Sequence, residues 1–128
     1  MNLDLEAARV AQEIITKTDG NKPSDVENLV TKTLGILHEN GVYACVLYLY
    51  SRTGSADSKV SEAVREELLK MIKILGKGAP ITSDAEAVLK FLTDNICNDL
   101  DLLLLTKQIW EQTLMYTRYS ATARGVNK

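Results

Sequence analysis

The chain has 128 residues and a formal net charge of −2, with 45% hydrophobic and 25% charged side chains. That length supports one domain with one core, and the balance of apolar and charged residues excludes global disorder. The slight acidic excess excludes a domain-wide basic footprint for nucleic acid, so any such contact has to be a local patch.

The first periodic block, about Leu3 to Thr18, places Leu3, Ala7, Val10, Ala11 and Ile14 at helical spacing, and Asp19-Gly20-Asn21-Lys22-Pro23 ends it. Ser24 or Asp25 is expected to cap the second block, in which Val26, Leu29, Val30, Thr33, Leu34 and Leu37 form one stripe. Asn40-Gly41 is expected to stop it, because both residues tolerate the left-handed conformation of a helix C-terminus.

Val42 to Tyr50 is dense in β-branched and aromatic residues and short enough for a strand. A strand needs a partner and no second strand-like run occurs, so the segment reads as a buried helix. Ser58 or Ser61 opens a longer helix through Leu75, with Val60, Val64, Leu68, Met71 or Ile72, and Leu75 facing inward; Gly76-Lys77-Gly78 and Pro80 close it. Ser83-Asp84-Ala85-Glu86 has capping-box form and starts a helix carrying Val88, Leu89, Leu92 and Ile96. Asn98 or Asp99 separates this from a last helix to about Ala123, and residues 124–128 are expected to fray. The expectation is an all-α, single-domain bundle of about six helices.

Residue chemistry argues against an enzyme. His38 is the single histidine, at a helix end where capping explains it. Cys45 and Cys97 lie in apolar segments without metal-ligand spacing and read as inert thiols; phosphate-loop and nucleophile-elbow motifs are missing. The polar run Asp94 to Asp99, near Asp101, has the groups to attract a divalent ion, but a turn between helices uses the same residues as caps. No catalytic, metal or cofactor site is expected. The opening residues carry Asp4, Glu6 and Arg9 instead of a signal peptide's apolar run, and Val42 to Tyr50 is far too short to span a bilayer. The chain therefore reads as intracellular, in the cytoplasm.

The cations are more informative. Lys59, Lys70, Lys73 and Lys77 cluster on one face of the fourth helix, where a solvated face explains them. Lys107 and Arg118 are 11 residues apart, about 20° around a helix axis. Their face borders an apolar arc of Leu102, Leu103, Leu105, Ile109, Trp110, Leu114 and Tyr116, with Asp101, Gln108 and Gln112 on the solvent side. Such cations suit either a phosphate backbone or a merely solubilising rim.

Three segments in order, Leu5 to Arg9 (LEAAR), Leu29 to Leu49 (LVTK, ILHENG and an apolar helix), and Thr106-Lys107 with Arg118-Tyr119, resemble the small helical subunit of type III-B CRISPR-Cas effectors, the Cmr module. The chain departs from that pattern at Leu34, where a proline often precedes the Asn-Gly turn, and in its acidic balance. The resemblance implies a non-catalytic subunit present in several stacked copies beside the backbone and large subunits of a ribonucleoprotein, helping to hold guide and target RNA in antiviral defence. Carried over by position, Arg9, Lys32, Lys107 and Arg118 become the RNA-backbone contacts. The alternative is a helical adaptor that binds only protein.

Overall fold

The computed structural model describes residues 2–52, 54, 57–76, 78 and 84–126, and within them six helices and no strand. These are α1 (Leu3–Lys17), α2 (Pro23–Asn40), α3 (Val42–Ser51), α4 (Asp57–Ile74), α5 (Ala85–Asn95) and α6 (Leu100–Val126). The expected all-α bundle is the observed architecture.

Local chemistry accounts for most helix ends. Asn2 caps α1 by accepting from the Leu5 amide. The α2 start is earlier than Ser24 or Asp25: Lys22 occupies the cap position without a side-chain bond, and Pro23 takes the first helical position, where its fixed φ fits and its missing N–H costs nothing. The α4 start likewise precedes Ser58 by one residue. Asp84 caps α5 through the Ala87 amide, one residue beyond the expected Ser83, which lies outside the described residues with Lys77 and Pro80. Asp99 caps α6 through the Leu102 amide.

α2 passes directly into α3 at Gly41, which ends one helix and begins the other. Its φ is 96°, as a glycine stop requires, but its ψ of −175° is extended, not left-handed helical. That backbone combination is open to glycine alone among the common residues.

α6, about 40 Å long at 1.5 Å per residue, is the axis of the bundle. α2 runs antiparallel to it: Pro23 lies against Gly125, and His38 beside Glu111. α1 runs parallel to it, with Asp4 near Gln112 and Tyr116 and Ile15 near Arg124. α4 closes the base, bringing Met71 Sδ within 3.4 Å of the Thr113 hydroxyl. α3 packs on α2, α4 and α5 and touches α6.

The core gathers Ile14, Val26, Leu37, Leu49, Leu68, Ile72, Leu92, Trp110 and Leu114, all fully buried or nearly so. The expected inward stripe of α4 holds for Val60, Val64, Leu68, Met71 and Ile72, while Leu75 is only half-buried. Threonines enter this core at little cost because each hydroxyl donates to the carbonyl one turn back: Thr33 to Leu29, Thr106 to Leu102, Thr113 to Ile109 and Thr117 to Thr113, at 2.7–2.8 Å.

α6 does not end at Ala123. Arg124 reaches across to the α1 terminus and donates to the carbonyls of Ile15, Thr18 and Asn21 at 3.1–3.4 Å, so the helix continues to Val126. Tertiary hydrogen bonding holds a stretch that local composition would let fray.

Candidate nucleic-acid interface

Lys107 and Arg118 lie about 16 Å apart along α6 and about 20° apart around it. Lys107 is half-buried at the edge of a cavity of about 320 Å³ formed with Gly41, Val42, Tyr43, Cys97 and Leu104. Arg118 is exposed. Glu111 lies between them in sequence, and His38 Nδ1 is 3.0 Å from its Oε2, so the carboxylate faces an imidazole from α2. His38 thus pairs across helices instead of capping its own.

The other two predicted cations sit on the flanking helices. Lys32 is exposed on α2, roughly 150° around that helix from the side, marked by Pro23 and His38, that meets α6. Arg9 is exposed on α1, roughly 120° from the side that meets α6, and pairs with Glu6 at 3.5 Å. The structure therefore brings Lys107 and Arg118 onto one face and leaves Arg9 and Lys32 on the outer sides of two different helices. Four cations spread in this way do not form one tight patch.

The lysine cluster on α4 divides in the same manner. Lys70 is engaged by Glu67 at 3.0 Å, Lys59 and Lys73 are exposed, and Lys77 lies outside the described residues. Glu67 is almost entirely buried and also takes Lys17 of α1 at 2.8 Å, forming a clamp between α1 and α4. Burial alone would raise the Glu67 carboxyl, but the Lys17 and Lys70 ammonium groups together outweigh it and hold it below its ordinary value. The Glu67 carboxylate in turn raises Lys17.

The polar run between α5 and α6 is occupied with capping. Asn98 Nδ2 donates to the Asp94 carbonyl at 2.6 Å, Asn95 Nδ2 to the Phe91 carbonyl at 3.0 Å, and Asp99 holds the α6 start. Cys45 is buried, and burial pushes its thiol up to about 12; Cys97, half-buried, is raised for the same reason. Neither has the thiolate character that reactive cysteines need.

One cluster was not legible from the pattern. Gln112, expected on the solvent side, is half-buried and donates through Nε2 to Asp4 Oδ1 and to the Tyr116 oxygen, while the Tyr116 hydroxyl donates to the same Asp4 carboxylate. A polar residue at this position is the one trace of it in the sequence. Its partner lies 108 residues away.

Among the described residues no helix is long and apolar enough to cross a membrane. The chain matches no known family model, no curated protein and no solved structure.

Proposed function

We propose that this chain is a non-catalytic helical subunit of a type III-B RNA-guided effector, stacked in several copies beside the backbone and large subunits and contacting the guide or target backbone through α6. The observation that carries the reading is the shared face of Lys107 and Arg118 on a helix pinned from two sides by α1 and α2. Lysine and arginine contacts to phosphate ignore base identity, which suits a subunit that has to accept any guide. Arg9 and Lys32 contribute only where RNA or a second copy wraps the outer sides of α1 and α2. Cleavage belongs to other subunits on this reading.

The decisive experiment is recovery of a tagged copy from the native host. Guide RNA and other effector subunits should co-purify; a tagged chain that brings down neither refutes the assignment. For the residues, Lys107→Ala with Arg118→Ala should weaken binding of generic RNA and reduce the salt slope by about 1 for each phosphate no longer neutralised. An unchanged slope at unchanged helicity removes these two residues from the interface.

A protein-only adaptor is favoured by a different observation. Leu100, Leu104, Met115, Tyr119 and Val126 are all exposed along the outward side of α6, a helix with apolar residues on every side. Under this reading generic RNA produces no mobility shift at low salt, and partner subunits co-purify without RNA.

A further inference from the structure

A second cleft, about 270 Å³ in volume, opens between α1 and α6 and is lined by Ala8, Ala11, Gln12, Tyr116, Tyr119 and Ser120. It lies below the range of roughly 300–1,000 Å³ that drug-sized ligands occupy, so it suits a single ring system. No charged side chain lines it. The short alanines of α1 leave space that a longer residue would fill, and two tyrosines of α6 supply the opposite wall.

The two tyrosines are differently held. Tyr116 is anchored by Asp4 and Gln112, which fixes its ring before any ligand arrives. Tyr119 is 62% exposed, a large ring turned toward water. The polar groups of Gln12, Tyr119 and Ser120 make no hydrogen bond among the described residues. An amide and two hydroxyls each donate and accept, so together they can meet the edge of any base.

We infer that the α1–α6 cleft binds an unpaired nucleobase, its ring stacked on Tyr119 and its edge hydrogen-bonded by Gln12 and Ser120. The choice of ligand rests on the RNA-contact reading. Stacking on an aromatic face tolerates every base, as a guide-independent site requires.

The test is amide chemical-shift mapping on the full chain with adenosine monophosphate, with ribose 5-phosphate as the base-free probe. Shifts at Ala8, Gln12, Tyr119 and Ser120 with the nucleotide but not with the sugar phosphate support the site; identical or absent shifts there overturn it. A single-stranded adenylate oligomer separates the two sources of the base. Tighter binding than the mononucleotide, weakened about fivefold or more by Tyr119→Ala and retained by Tyr119→Phe, identifies single-stranded RNA. Nucleotide shifts at the cleft with no gain for the oligomer support the site but name a free nucleotide and count against the RNA reading. Salt-dependent RNA binding through Lys107 and Arg118 with the cleft amides unmoved overturns the cleft alone.

Discussion

Replacing Gly41 by alanine isolates a backbone effect. The residue joins α2 to α3 at φ 96°, ψ −175°, and a Cβ built there meets nothing within 4 Å. The cost is therefore conformational alone, on the order of 1–3 kcal/mol for a residue held in a region essentially reserved for glycine. Alanine also stiffens the unfolded chain, which offsets about 0.4–1 kcal/mol, leaving a net loss of about 1–2 kcal/mol. Two hydrogen bonds converge on this residue: its amide donates to the Leu37 carbonyl at 3.0 Å, and its carbonyl accepts from the Cys45 amide at 3.1 Å. The chain cannot relax to a more ordinary conformation without breaking one of them. Gly35, in the middle of α2, is the control: it is exposed and helical, again with nothing within 4 Å of an added Cβ. There alanine should stabilise by about 0.5–1 kcal/mol. Denaturant unfolding followed by far-UV circular dichroism reads both variants, and melting should move in opposite directions, by about 3–5 °C per kcal/mol for a chain of this size. Equal stability of Gly41→Ala and the parent, or shifts of the same sign in both variants, would refute the reasoning.

The Lys17–Glu67–Lys70 clamp gives stability a dependence on pH at both ends. Because folding lowers the Glu67 pKa, its contribution is fully present above the ordinary 4.5 and is lost as pH falls through the lower folded value; because folding raises Lys17, its contribution is fully present below 10.5 and is lost as pH rises beyond it. Glu67→Gln should cost about 1–3 kcal/mol at neutral pH and flatten both limbs of a stability-versus-pH curve measured by urea unfolding. Arg124→Met keeps the aliphatic stem but removes the donors to Ile15, Thr18 and Asn21, and should cost about 1–3 kcal/mol, with faster amide hydrogen exchange in the turn at residues 18–22. Arg124→Lys should restore little of this, since one ammonium does not reproduce the planar fork that reaches three carbonyls.

The helical character of Val42–Ser51 was legible because a strand there would have had no partner, and the core residues of α4 followed from their spacing. Helix starts were less legible: Asp84 caps α5 one residue past the expected Ser83, since neighbouring residues share the chemistry of a cap and only the backbone path selects one, while α2 begins at Pro23 behind Lys22, which caps with no side-chain bond at all. The continuation of α6 past Ala123 was hidden for another reason: Gly125 weakens a helix locally, and the bonds that offset this come from residues more than 100 positions away. Of the candidate contacts, the common face of Lys107 and Arg118 was readable because both are on one helix, where spacing determines direction.

Sequence by itself therefore determined the all-helical class, most of the core and the shared face of Lys107 and Arg118, because each depends on a period of 3.6 residues within a single element. Only the tertiary structure decided that α1 runs parallel and α2 antiparallel to α6, that Arg9 and Lys32 fall on the outer sides of those helices, and that a tyrosine-walled cleft opens between α1 and α6. Helix orientation and the spaces between helices arise from how side chains of distant segments interdigitate, and periodicity along one helix carries no information about its neighbour.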